Sequence, residues 1–231
     1  MFDFLVTADG GLTTAGYTAS IVAVLVLVVL IAALLQKKTS TLKLTTQQLV
    51  TCAAALALAY VTSYIKLFKL PFGGSVTLFS MLFIVLLGYW YGVKVGILTG
   101  LVYGIFQFLQ EPYVLSFFQV CCDYIFAFGA MGLSGLFTKS KKYGLLKAYI
   151  TAILARGAFH ALGGYLYWMD YMPDNFPKSL TALYPIIYNY SYILLEGILT
   201  IVVISVPAVS SALGRMRAMA TGGNRQPAAQ K

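Results

Sequence analysis

Charge is scarce in this chain. Asp, Glu, Lys and Arg make up only 10% of its 231 residues, and hydrophobic residues make up 60%. A water-soluble domain carries about a quarter of its residues as charges. That shortage, with a mean hydropathy of +0.83, excludes a soluble globular domain and leaves an integral membrane protein. Cysteine is scarce too: Cys52, Cys121 and Cys122 all lie inside apolar runs. No C-x-x-C or Cys/His ligand spacing is present, which excludes a metal site or disulfide framework of the usual kinds. Catalytic signatures are missing as well. No Walker Lys-Ser/Thr follows a glycine loop, and no HExxH or Ser/His/Asp set is present. The chain therefore has no ATPase site of its own to be read from sequence.

What is present is a series of long apolar runs. A spanning helix needs about 20 mostly apolar residues. Seven candidates follow, at roughly 17–35, 47–65, 76–91, 93–110, 114–137, 145–168 and 183–209. Their continuity and their Leu, Ala and Gly content exclude barrel strands, which alternate polar and apolar residues. The leader MFDFLVTADGG has two acids and no basic residue, so the first run reads as a retained helix rather than a signal peptide.

The net charge of +9 does not point to nucleic acid, because the basic residues fall in short clusters between the runs. With the Lys37–Lys43 segment in the cytoplasm, the inside also receives Lys94, Lys139, Lys141, Lys142, Lys147, Arg215, Arg217, Arg225 and Lys231. The outside receives only Lys66, Lys69 and Lys178, with Asp3, Asp9, Glu111, Asp170 and Asp174. The positive-inside rule then sets the N-terminus outside and the C-terminus in the cytoplasm. The polar stretch 213–231, GRMRAMATGGNRQPAAQK from Gly214 on, reads as a disordered basic tail.

Within the spans, polar groups are expensive and default to functional hypotheses. The run FFQVCCDYIFAFGAMG at 117–132 holds one carboxylate, Asp123. Arg156, His160, Gly164 and Trp168 recur every four residues and share one helix face. Gln119 and Asp123 share a second, and Tyr184, Tyr188 and Tyr192 a third. On the topology above these stripes overlap in depth in the outer half of the bundle. A pocket of aromatic rings with one carboxylate suits a small planar cation, through stacking, cation–π attraction and a two-oxygen acceptor. The loop KLFKLPFGGSVTLFS, 66–80, has turn residues and could cover such a pocket. Plainer readings stand beside these. Trp168, Tyr165 and Tyr167 fit an interfacial belt, His160 a core histidine, Asn189 an interhelical bond, and Arg156 a structural pair with a carboxylate such as Glu196.

Five stretches in order carry a family resemblance: LPFGGSVTLFSM (70–81), YGVKVGILTGLVYG (91–104), SFFQVCCDYIFAFGAMGLSG (116–135), RGAFHALGGYLYW (156–168) and LYPIIYNYSY (183–192). Together they resemble the thiamine-specific substrate-binding (S) component of energy-coupling factor (ECF) vitamin transporters, over roughly residues 45–210. The resemblance implies an all-α integral membrane protein: a six-helix S-component bundle, here at 45–212, with residues 1–44 as an extra N-terminal transmembrane helix and linker. It implies high-affinity thiamine binding and uptake from outside, with no cofactor and no metal. ATP would be used by partners, namely a transmembrane coupling (T) subunit and two ABC-type ATPases. It places the thiamine ligands at Asp123, Tyr124, His160, Gly164, Trp168, Tyr184, Tyr188 and Asn189. It also suggests docking on the T subunit through small-residue faces, Ala53/Ala57 or Ala55/Ala59, which serve equally for packing inside the bundle. Three departures from the family pattern are the extra first helix, Phe83 in place of a common proline, and FGGS where some members carry a loop Trp. The alternatives are an S component for another vitamin or pyrimidine precursor, a proton-coupled secondary transporter using Asp123, Glu196 and His160, and a membrane enzyme.

Overall fold

Thr45 caps the helix that follows it reciprocally: its hydroxyl accepts from Gln48 N–H at 3.2 Å, and its own N–H donates to Gln48 Oε1 at 3.0 Å. Two orphan backbone donors are satisfied at once. In this computed structural model, which describes residues 4–7, 11–22, 44–140 and 142–222, that helix is α1, Thr46–Ser63. A two-stranded antiparallel ribbon follows. It is formed by β1 (Lys66–Lys69) and β2 (Ser75–Thr77), joined by a 3-10 turn at Pro71–Gly73. The register pairs Lys66 with Thr77 and Lys69 with Ser75. The third apolar run is therefore not helical from 76: its first residues belong to the ribbon, and α2 begins at Ser80.

Next come α2 (Ser80–Tyr91), α3 (Val93–Gln110) and α4 (Phe117–Phe137). After them run α5 (Gly144–Tyr167) and α6 (Tyr184–Ser205). The α2–α3 junction turns on Gly92 alone, at φ +93°, a conformation that glycine adopts without strain. Among the described residues, four helices are long and apolar enough to cross a membrane: α3, α4, α5 and the one ending at Ser205. Helix α2 is a shorter apolar helix. The first candidate span lies largely outside the described residues, of which 14–22 are helical.

Glycine sets how closely these helices approach. Gly96, Gly100 and Gly104 form a stripe at four-residue spacing on α3. A Cβ at Gly100 would lie 2.2 Å from Phe128 O, and one at Gly104 would lie 1.9 Å from Tyr124 O. From the other side, a Cβ at Gly132 would lie 2.2 Å from Ile97 N. The α3–α4 seam is thus backbone on backbone, the close approach that small residues permit. Buried against it lies the main core, including Met81, Ile84, Tyr103, Phe128, Met131, Tyr149 and Ile193.

Two expectations are corrected here. Residues 213–220 are not a disordered tail. After a break at Val206 (ψ 124°), Pro207 starts a further helix, α7, Pro207–Ala220. Arg217 pins it to the bundle by donating to Tyr89 Oη at 2.8 Å and to the Thr138 carbonyl, with its guanidinium 4.4 Å from the Tyr89 ring centre. Tyr91 OH donates to Ala220 O at 3.2 Å. The segment has good helix formers, and its apparent polarity is absorbed by one stacked, bonded arginine. The rest of the expected tail, from 223, lies outside the described residues. In α1, Ala55 and Ala59 are buried and serve internal packing, not docking, whereas Ala53 and Ala57 are exposed.

Candidate ligand-binding site

At the ribbon end of the bundle lies a cavity of about 700 Å³, within the range of small-molecule sites. All eight residues singled out as ligands from the sequence line it, contributed by α4, α5, α6 and the junction after α5.

Asp123 comes from an unusual stretch. Residues Cys121–Phe126 form a π-helical turn inside α4, the kind of insertion that re-aims side chains at functional sites. Gln119, itself buried, donates from Nε2 to Asp123 Oδ2 at 2.7 Å and accepts from Leu115 N–H at 3.0 Å. His160 on α5 brings Nδ1 to 3.2 Å from Asp123 Oδ1. The other ring nitrogen, Nε2, accepts from Arg156 Nε at 3.3 Å. An arginine Nε–H can only donate, so His160 Nε2 carries no proton and Nδ1 must donate to Asp123. The result is a directed chain, Arg156 to His160 to Asp123, with the imidazole neutral. Gly163 makes room for it: a Cβ there would lie 3.0 Å from Asp123 Oδ1.

The expected Arg156–Glu196 pair does not form: among the described residues no ion pair joins them. Arg156 sits over the Phe128 ring, 4.6 Å from its centre. Glu196, 2% exposed, instead accepts from Thr77 N–H at 2.7 Å and Thr77 Oγ1 at 2.8 Å. Phe79, the residue before α2, provides no side-chain cap. Glu196 therefore roots the ribbon and the start of α2 on α6, doing across helices what an N-cap does locally.

Aromatic rings line two sides. Trp168 packs against Tyr113 with centroids 4.8 Å apart, and against Tyr171 at 5.1 Å. On α6, Tyr184, Tyr188 and Tyr192 follow one another with centroids 6.0 Å apart. Asn189 Nδ2 donates to His160 O at 3.2 Å and Pro185 O at 2.8 Å, and its Oδ1 accepts from Tyr192 OH at 3.0 Å. Both N–H donors are taken, so only the second lone pair of Oδ1 is left for a ligand. Gly164 serves the same α5–α6 contact: a Cβ there would lie 2.7 Å from Pro185 Cβ. Tyr124 lines the cavity while bonding backbone: its OH donates to Glu111 O at 2.9 Å and accepts from Tyr113 N–H at 3.1 Å.

The ribbon forms the cover, with Leu70, Pro71, Gly73, Gly74 and Ser75 among the lining residues. Tyr188 OH donates to the Pro71 carbonyl and accepts from Gly74 N–H at 3.2 Å. Glu111, just past α3, pairs with Lys66 and with Lys69, the latter at 2.7 Å. Burial alone would raise the Glu111 carboxyl, but hydrogen bonds from the two lysines outweigh it and hold the group below its ordinary value. Sequence reading missed Tyr113, Phe128 and the Glu111–lysine cluster as cavity residues. Each comes from a turn or a helix face that carries no spacing signal.

A bundle of apolar helices that closes an aromatic, carboxylate-bearing cavity under a ribbon defines an all-α, multi-pass membrane protein built to hold a small molecule. The chain belongs to the thiamine transporter protein family, whose model matches residues 49–213. The thiamine transporter ThiT of Bacillus subtilis (strain 168) is 31% identical over 154 residues, covering 59% of this chain and 76% of that protein. A solved structure of ThiT from Listeria monocytogenes matches with a TM-score of 0.58 at 24% identity, over 75% of this chain and 96% of that one. At that identity the likeness is one of fold. The family expected from the five motifs is the family matched, and thiamine transport is its activity.

Proposed function

We propose that this chain is the thiamine-capturing S subunit of an ECF-type transporter. The observation that carries the reading is Asp123, held by Gln119 and His160 in an aromatic cavity of a thiamine transporter family member. Thiamine has a fixed thiazolium charge and a planar aminopyrimidine. Asp123 supplies the counter-charge, and Trp168 with Tyr184 and Tyr188 supplies stacking surfaces. His160 acts as a positioning residue, orienting Asp123, and Asn189 holds α6 to α5 with one lone pair to spare. No cofactor or metal is required. The cavity opens outward, by the positive-inside distribution of Lys and Arg. Energy comes from a T subunit and two ABC-type ATPases that consume ATP, and the chain is a transport subunit rather than an enzyme.

Calorimetry on the purified full chain tests the binding site. Wild type binds thiamine, and Asp123→Ala loses roughly 2–5 kcal/mol of affinity, because truncation strands a desolvated cation. Unchanged affinity removes Asp123 from the site. Reconstitution tests the energy source. Uptake into liposomes that needs the partner subunits and ATP supports the reading. Uptake by the chain alone, driven by a pH gradient, replaces it with a secondary transporter.

A further inference from the structure

One acid, Glu111, covers two cations beside a cavity proposed to hold a cation, and one of the two, Lys69, lines it. Lys66 and Lys69 lie on β1, and both pair with Glu111 at the end of α3. Glu111 and Lys69 line the cavity. Their side chains are 47% and 56% exposed, against 15% for Asp123. The charge pattern is therefore layered, with a carboxylate deep inside and a two-lysine, one-glutamate cluster at the rim.

Such a rim cluster contributes little to stability, since exposed ion pairs are screened by solvent and cost side-chain entropy to hold. Its effect on the field is larger. The charged side chains lining the cavity are Lys69, Glu111, Asp123 and Arg156, two of each sign. Removing Glu111 leaves an excess of positive charge and releases two ammonium groups from their acceptor. A cation entering the cavity would then be repelled at the mouth. A ligand carrying a phosphate would gain two donors well suited to bind it.

We propose that Glu111 sets the charge selectivity of the site: by occupying Lys66 and Lys69 it favours thiamine over its phosphate esters. Glu111 also tethers the ribbon over the cavity through the same two bonds. The inference rests on thiamine as the ligand, and the experiment separates the two claims.

Dissociation constants for thiamine and thiamine monophosphate are measured by calorimetry on the full chain in uncharged nanodiscs. Wild type and Glu111→Gln are compared at about 0.1 M and about 1 M salt, where the screening length falls from about 10 Å to about 3 Å. At low salt the preference of Glu111→Gln for thiamine over the monophosphate drops at least about fivefold, a rim-charge effect. Most of that change disappears at high salt, which a purely structural role would not produce. Replacing both Lys66 and Lys69 by Gln moves the preference the opposite way. If Glu111→Gln weakens both ligands by one factor at both salt concentrations, Glu111 is a tether only and the selectivity role is overturned. If wild type binds no thiamine, the functional reading fails, and this inference fails with it.

Discussion

Asp123 and His160, 37 residues apart in sequence, meet at 3.2 Å across the α4–α5 seam. Arg156 fixes the direction of that bond, because its Nε–H occupies the only position at which the ring could otherwise carry its proton. His160 is the single histidine of the chain, so its ring gives an unambiguous nitrogen NMR signal. At neutral pH the signal shows a neutral imidazole protonated at Nδ1. In Arg156→Gln that tautomer loses its enforcement and the spectrum shifts toward a mixture. An Nε2-protonated ring in the wild type would break the chain of donors described here.

Neighbouring glycines on α5 should respond differently to the same added methyl. At Gly163 the new Cβ meets the tip of Asp123 at 3.0 Å, so the carboxylate must shift by a few tenths of an ångström. Gly163→Ala therefore lowers thiamine affinity by about tenfold, in line with the cost of a slightly displaced site group, with little change in melting temperature. At Gly164 the Cβ meets Pro185 at 2.7 Å, and that atom belongs to the first turn of α6. Gly164→Ala is an overpacking change costing about 1–3 kcal/mol of stability. Calorimetry and thermal melts, run on both variants, should show affinity and stability separating between them. Equal effects on both would contradict the contacts.

Tyr188 holds the ribbon from below through the Pro71 carbonyl and the Gly74 N–H. A bulky residue at 74 could not sit there, since a Cβ would lie 2.8 Å from the Tyr192 ring. Tyr188→Phe keeps the ring and loses both bonds, worth about 1 kcal/mol each. Stopped-flow measurement should show faster thiamine release and a nearly unchanged association rate. Hydrogen exchange should rise in residues 66–77 only. A variant with wild-type release kinetics would show that the ribbon is held by other contacts.

Arg217 carries a fourth test, at a residue that does not line the cavity. Arg217→Ala removes a stacked guanidinium and its bonds to Tyr89 and the Thr138 carbonyl. Melting should fall by several degrees, corresponding to about 1–3 kcal/mol. Arg217→Lys should recover less than half of this, because an ammonium neither stacks nor forks. If truncation before residue 213 leaves melting unchanged, α7 does not belong to the folded unit.

Much of the bundle could be read directly from composition. Long apolar runs have one low-energy solution in a bilayer, a helix that bonds its own backbone, so most helices fall near their expected limits. The four-residue spacing of Arg156, His160, Gly164 and Trp168 placed them on one face, because helix geometry is local. The limits of that reading are equally physical. The run 76–79 is apolar enough for a helix, but Val76 and Thr77 join a ribbon because Lys66 to Lys69 supply strand partners. Residues 213–220 are polar enough for a tail, but they fold because Tyr89 and Thr138 lie nearby to receive Arg217.

By itself, then, the sequence determined the solvent, the approximate limits of most helices and the helix faces that meet at the cavity. Those properties depend on transfer free energy and on a fixed helical period, both legible along one chain. Tertiary structure alone decided the partners: Glu196 with the ribbon root rather than Arg156, His160 with Asp123, Glu111 with two lysines from β1. Pairing depends on which side chains are brought within about 3 Å by packing, and no spacing along the chain encodes that distance.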